Sequence, residues 1–95
     1  MFEWDERQRG ANIAKHAVDF VRAALIFDGP IIEGPDDRRN YGEQRIGAYG
    51  EAGGDVLFVI YTWRGNKRRL ISARKAGSHE RERYDAEIAA ARGKG

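Results

Sequence analysis

The chain has no cysteine, which excludes a disulfide scaffold and a thiolate zinc site. Its two histidines, His16 and His79, are too few to build a metal cluster by themselves. The acidic pair Asp36-Asp37 falls in a loop-like stretch, where solvation accounts for it better than metal ligation does. A Walker-type glycine loop is absent, and Gly53-Gly54 reads as a turn. No apolar run approaches the roughly 20 residues of a membrane span. The charged N-terminus lacks a secretory pattern, so a cytoplasmic protein without cofactor or metal is expected. Both prolines, Pro30 and Pro35, lie in one short stretch.

Charge of one sign is scarce in places, and the pattern is informative. Residues 1–63 carry seven Lys/Arg against eleven Asp/Glu, whereas 64–95 carry ten against four. The modest total of +2 therefore hides a polarised molecule. Between Arg64 and Lys75 there are six positive charges and no negative one, threaded through a strand-like apolar run. Such a focused field suits a polyanion, and nucleic acid is the commonest. With 95 residues, 41% apolar content and ten aromatic side chains, the chain makes one folded domain, 1–95, with one small core.

Phe2-Glu3-Trp4 alternates as a short edge strand would. Asp5 is placed to cap a helix running to about His16, and Asp19 to cap a second through Phe20, Ala23, Ala24 and Phe27. Residues 28–43 read as a long connection in which Ile31-Ile32 is the one strand fragment. Strand signals resume over Glu43–Gly50, Asp55–Trp63 and Lys67–Arg74. Gly53-Gly54 and Gly65-Asn66 are the hairpin turns, the second of type II′. Ser78 is expected to cap a closing helix to Arg92, with Tyr84, Ile88 and Ala91 on one face and Gly93 beyond its end. Helices, an antiparallel meander and a final helix make an α+β fold.

A two-residue turn at Gly65-Asn66 sets Arg64 opposite Lys67, Tyr61 opposite Leu70, Val59 opposite Ser72 and Leu57 opposite Arg74. Alternation then sorts the hairpin into two faces. Val56, Phe58, Ile60 and Thr62 with Arg69, Ile71 and Ala73 are expected against the helices. Leu57, Val59, Tyr61 and Trp63 with Arg68, Leu70, Ser72 and Arg74 form the second face. Cations beside aromatics there suit RNA, with phosphates neutralised and bases stacked. The competing reading is a sheet covered on both sides, with arginines at its solvated margins.

Several segments together resemble a known family. Phe2-Glu3-Trp4-Asp5, Asn12 and Lys15-His16 are similar to the N-terminal signature of BrnT toxins. Glu43-x-Arg45, Tyr61-Thr62-x-Arg64, Ile71-Ser72-Ala73-Arg74-Lys75-Ala76, Glu80-Arg81 and Tyr84 resemble the remainder, in order, over roughly residues 2–84. The resemblance implies a RelE-like ribonuclease toxin of a type II toxin–antitoxin system, arresting translation and neutralised by a DNA-binding BrnA antitoxin. It also implies a complex of two toxins on an antitoxin dimer. Two positions depart from the pattern. Gln8 stands where lysine is common, and Ala17 where glycine is usual; alanine is disfavoured at positive φ.

Metal-free RNA cleavage requires a deprotonated 2′-hydroxyl, a stabilised phosphorane and a protonated 5′-oxygen. Charge stabilisation is usually the largest contribution. Arg64 and Arg74, shared by the basic tract and the resemblance, are the first candidates for it, followed by Arg45 and Lys75. Surface ion pairs are the alternative for each. His16 has the side chain for proton transfer near neutrality, or it holds the helix end. Tyr61 is a candidate for proton transfer or stacking, Glu80 for a base or a helix-dipole acid. Lys15, Trp63 and Arg68 complete the expected RNA contacts. Three functions follow: a ribonuclease toxin, a non-catalytic RNA- or ribosome-binding module, and an inactive toxin-like subunit that binds an antitoxin.

Overall fold

The computed structural model describes residues 1–38, 40 and 42–93. The elements are β1 (Phe2–Glu3), α1 (Glu6–His16), α2 (Phe20–Ala23), a 3₁₀ segment (Ala24–Asp28), β2 (Ile32–Pro35), β3 (Ile46–Ala52), β4 (Asp55–Arg64), β5 (Lys67–Lys75) and α3 (Ser78–Gly93). One five-stranded sheet runs in the order β1-β5-β4-β3-β2. Its pairs are antiparallel except β1 with β5, which are parallel. The α+β reading is thereby met, with helices on one face of the sheet and α3 leaving from the other.

The first two helices start where the acids place them. An Asp5 carboxylate oxygen accepts from the amides of Arg7 and Gln8 at 2.7 and 3.3 Å, and Asp19 accepts from Val21 at 3.0 Å. Arg9 then clamps Asp19 through two bonds of 2.8 and 2.9 Å, fastening α1 to the start of α2. That guanidinium holds the Asp19 carboxyl down at about 2. At the end of α1, Ala17 adopts the left-handed conformation, φ 58° and ψ 28°, and its amide donates to the Ile13 carbonyl at 2.8 Å. The helix therefore ends as it would with glycine, at the steric cost of a Cβ.

The core lies between these helices and the sheet. Phe20, Ala23 and Ile26 meet Leu57, Val59, Tyr61, Leu70 and Ala73, with Val18 alongside. Small residues of β3 make the fit possible. A Cβ on Gly50 would lie 2.6 Å from Cβ of Ile26, so the 3₁₀ segment can seat only on a bare backbone.

This packing corrects the expected faces of the hairpin. Leu57, Val59 and Tyr61 point to the helices, and Val56, Phe58, Ile60 and Thr62 to the opposite side. Both faces of β4 are apolar, so alternation alone did not discriminate. The register is as expected from Arg64/Lys67 to Tyr61/Leu70, then slips by one: Ile60 pairs with Ser72 and Phe58 with Arg74. Ile71 is the extra residue of a bulge. Gly65 has φ 62° and Asn66 has no positive φ, in keeping with a type II′ turn. Gly53 and Gly54 have φ 59° and 86°, a type I′ arrangement joining Ala52 to Asp55.

Two further expectations change. The 28–43 connection contains a full edge strand, β2, extending through Gly34-Pro35; proline is tolerated there because the outer edge lacks a ladder. Residues 39 and 41 of that connection lie outside the described residues. At α3, Gly77 rather than Ser78 holds the cap position. The Glu80 side chain reaches back to the Gly77 amide at 2.8 Å, half of a capping box.

Asn12 on α1 is buried, 6% exposed. Its amide nitrogen donates to the carbonyls of Val18 and Ala73, both at 2.8 Å, and its oxygen accepts from the Ala73 amide at 3.0 Å. Replacing it by alanine orphans these buried groups, so Asn12→Ala should lower unfolding free energy by about 3 kcal/mol in a denaturant titration. Ala17→Gly, which relieves the left-handed strain, should raise it by about 1 kcal/mol.

Candidate functional site

The sheet face away from α1 and α2 carries a cross-strand row of Ile32, Tyr49, Phe58 and Arg74. The adjacent row is Gly34, Gly47, Ile60 and Ser72. Because Gly47 has no side chain, the Phe58 ring leans over it; a Cβ there would be 2.7 Å from Phe58 Cζ. Tyr49 packs on Phe58 with ring centroids 4.5 Å apart, and the Arg74 guanidinium lies 4.8 Å from the Phe58 centroid.

Glu80, in the first turn of α3, closes this group. Arg74 donates from Nη1 and Nη2 to its two oxygens at 2.8 and 3.0 Å, and from Nη1 to the Lys75 carbonyl at 3.2 Å. Tyr49 donates its hydroxyl to Oε2 of the same carboxylate. With the Gly77 amide, four donors fill the four or so acceptor positions a carboxylate offers. The Glu80 carboxyl is held far below the usual carboxylate range, first by Arg74, then by Tyr49 and the Gly77 amide. Arg74 is in turn raised by Glu80, and burial followed by the Glu80 contact raises Tyr49. A carboxylate with its acceptor positions filled in this way fixes the direction of the Arg74 fork.

The remaining expected site residues disperse. Tyr61 is 1% exposed in the core, where it donates to Glu33 at 2.7 Å; burial and then that contact raise its pKa. Arg68 is also on the helix side, stacked on Phe27, Tyr61 and Trp63 at 4.2, 5.3 and 4.7 Å. Its buried Nε has no hydrogen-bond partner among the described residues. Trp63 is 47% exposed beside it. Arg64 and Arg45 share Glu43, at 3.5 and 3.4 Å. Six positions of β4 separate Arg64 from the residue facing Arg74, about 20 Å, so these two arginines do not converge. Lys75 lies 3.8 Å from Asp55 at the far end of β5.

Lys15 and His16 are better placed. With Gln8 they line a hollow against Ile71 and Ser72 at the β5 margin, and Ser72 is about 7 Å along the strand from Arg74. A lysine at position 8 would have added a charge to this same hollow. Among the described residues, no three His, Asp or Glu side chains converge as metal ligands.

Of the residues singled out in the sequence, the structure thus brings Arg74 and Glu80 together, and it adds Tyr49 and Phe58, which had not been named as site candidates. A signal existed. The Gly53-Gly54 turn, read for register as Gly65-Asn66 was, sets Tyr49 opposite Phe58. Only the bulge, invisible to alternation, brings Arg74 beside them.

A family model described as the ribonuclease toxin BrnT of type II toxin–antitoxin systems matches residues 4–80. The chain belongs to the BrnT family. Among curated proteins none matches it. Membership makes RNA the expected substrate class and an antitoxin the expected partner. The matched BrnT segment holds β2 to β5, both N-terminal helices and the whole Arg74–Glu80–Tyr49 group, and ends on Glu80 itself. The remainder of α3 projects, its residues beyond Tyr84 exposed apart from half-buried Ile88. Tyr84 anchors it through a 2.7 Å bond to the Pro30 carbonyl.

The depressed Glu80 carboxyl has a measurable consequence. Its ionised form stabilises the fold fully above the ordinary value of 4.5 and loses that effect as pH falls below it. Acid titrations of stability should therefore show a shallower decline below pH 4.5 for Glu80→Gln than for the wild type. A residual slope should persist, because Asp19 acts in the same direction.

Proposed function

We propose that this BrnT-family chain is a RelE-like endoribonuclease that cleaves RNA on the open sheet face without a metal, with Arg74 stabilising the phosphorane. The observation that carries the reading is the Arg74 guanidinium, oriented by a saturated Glu80 and laid over the Phe58 ring on the sheet face away from α1 and α2. A forked, permanently charged donor suits the non-bridging oxygens of a phosphate in displacement. Lys15 at the β5 margin contacts the neighbouring phosphate. His16 beside it transfers protons, since the Glu80 carboxylate is engaged and Tyr61 is buried in the core. Arg64, Arg45, Trp63, Arg68 and Lys75 point away from this group and would meet flanking nucleotides.

Cleavage of cellular RNA in the cytoplasm, on or off the ribosome, inhibits translation, and a BrnA-type antitoxin neutralises the toxin. The partner suited to Arg74, Lys15 and His16 is an acidic segment, which masks the same cations that bind phosphate. A DNA-binding antitoxin dimer carrying two toxins fits that arrangement.

The test is induction in bacteria with and without the neighbouring antitoxin, together with digestion of RNA by purified protein in excess chelator. Growth arrest and chelator-resistant cleavage are expected, with Arg74→Ala lowering the cleavage rate about a hundredfold or more. RNA left intact by folded wild-type protein would instead support a non-catalytic RNA-binding module. Antitoxin binding with neither arrest nor RNA affinity would support an inactive subunit.

A further inference from the structure

The β4–β5 hairpin closes at Gly65-Asn66, and its last cross-strand pairs are Trp63 with Arg68 and Arg64 with Lys67. Trp63 stands on the helix side of the sheet, where its ring meets Tyr61 edge-on with centroids 5.8 Å apart. The Arg68 guanidinium lies over one face of the indole, 4.7 Å from its centroid. Trp63 is nonetheless 47% exposed, so its other face looks into solvent. Just before it, the Thr62 hydroxyl donates to the Gln44 carbonyl at 2.7 Å and holds the strand in place.

Arg68 is the unusual member. Arg64, Arg69, Arg74 and Lys75 of the same tract each lie within ion-pair distance of a carboxylate. Arg68 has no such partner among the described residues. It stacks on Phe27 and Tyr61 as well as on Trp63, and its buried Nε is left without a hydrogen bond. Burial and then the Glu33 contact raise the Tyr61 pKa, and Arg68 offsets part of that rise. A guanidinium set among rings instead of acids leaves a donor unsatisfied, which costs stability. Its effect is a fixed indole. The inner face is filled, the outer face is presented, and fewer conformations remain to be lost when something stacks there.

We propose that the tip of this hairpin is a second RNA contact, in which an unpaired base stacks on the outer face of Trp63 and the adjoining phosphates meet Lys67 and Arg64. The proposal rests on the ribonuclease reading of the Arg74 face and adds a separate hold on the same strand. Lys67 is exposed and has no ion-pair partner among the described residues. The Arg64 side chain is 54% exposed, with Glu43 at 3.5 Å. Two cations beside an open indole suit a single strand, because stacking accepts any base and the charges follow the backbone. A flat open ring also matches a base better than it matches the apolar anchors of a peptide, which need a pocket. Five positions of β4 separate Trp63 from Phe58, about 17 Å, and the two rings lie on opposite faces. A strand engaging both must round the sheet margin, so a short RNA reaches one contact and a longer RNA reaches two.

The test compares a 2′-O-methyl RNA of about twelve nucleotides with one of about three, neither of which can be cut because the 2′-hydroxyl nucleophile is blocked. Binding to the full chain is followed by fluorescence anisotropy of a labelled strand and by the indole N–H resonances. The longer strand should shift the Trp63 indole and leave that of Trp4, tied to Glu6 at 3.1 Å, in place. Its advantage in affinity over the shorter strand should fall about tenfold or more in Trp63→Ala and be largely kept in Trp63→Phe. In Lys67→Glu it should fall with a shallower salt dependence. Lys67 sits at the exposed turn, so that variant decides the matter should Trp63→Ala not fold. An unmoved Trp63 indole, or a length advantage that survives Trp63→Ala or Lys67→Glu, would overturn the contact. Loss of antitoxin binding alone in these variants would overturn it too, and would give the tip to a protein partner. Digestion of unmodified RNA by the same preparation separates the two readings. Length-dependent binding through Trp63 without cleavage leaves the contact standing and removes the ribonuclease; cleavage without any part played by Trp63 or Lys67 does the reverse.

Discussion

One side chain from the first helix determines which way the basic strand faces. Beyond the bulge at Ile71, the outer edge of β5 has no neighbouring strand among the described residues, because β1 pairs only with Arg68 and Arg69. Asn12 takes the place of that strand. It gives the Ala73 backbone the donor and acceptor that a ladder would supply, and a third bond ties it to Val18 at the turn into α2. An amide is the side-chain group that can do this, since it carries both functions on adjacent atoms. With Ala73 fixed toward the helices, its neighbours Ser72 and Arg74 must face the opposite side. In the unbulged register Arg74 would be opposed by Leu57, a core residue, and a charged group would lie in the apolar layer beneath α2. The register of four residues thus separates a core position from a candidate active-site position.

The same alternation explains why a run of six cations does not make one basic patch. Successive positions of β5 point to different faces, and each finds its own environment. Arg68 lies among rings on the helix side. Arg69 pairs with Glu3 at 2.8 Å, Arg74 with Glu80 at 2.8 Å and Lys75 with Asp55 at 3.8 Å, while Arg64 reaches Glu43 at 3.5 Å. Three of these four acids come from the acidic first part of the chain. The polarity of the sequence is consequently much reduced on folding, and what the molecule offers an RNA is a few placed guanidiniums rather than a field. Such an arrangement depends on geometry more than on net charge, so conservative exchanges such as arginine for lysine are not neutral at these positions.

Much of the architecture was legible from residues alone, and for physical reasons that can be named. Capping acids mark helix starts because they satisfy orphan amides, and Asp5 and Asp19 do so here. Glycines mark tight returns because they reach positive φ cheaply, and the β3–β4 and β4–β5 hairpins close on Gly53-Gly54 and on Gly65. What was not legible depends on contacts distant in sequence. The orientation of β4 was decided by Gly50 yielding to Ile26, a matter of one Cβ between two elements. Tyr61 reads equally well as a catalytic phenol or a core ring until Phe27 and Glu33 are seen around it. Ser78 looked like the cap because serine usually is; Gly77 took the place because Glu80 reached its amide instead. Resemblance to a family pointed to Arg74 and Glu80 but was silent on their being partners.

That partnership raises the question of whether Glu80 silences Arg74. Magnitudes say that it does not. Both side chains keep about a third of their surface in water, 38% and 31%, where an ion pair is screened and worth on the order of 1 kcal/mol or less. A phosphodiester offers the same fork two oxygens of equal charge-accepting capacity, so exchange of one oxyanion for the other is close to neutral. The carboxylate also keeps its second hold on Tyr49 and the Gly77 amide, so α3 need not unwind when Arg74 turns. Phe58 lies 4.8 Å from the guanidinium and limits the conformations open to it, which lowers the entropy that an encounter with an anion would cost. On the proposed RNA-cleaving reading, Glu80 is thus a resting partner that holds the arginine over Phe58 and that a phosphate can displace.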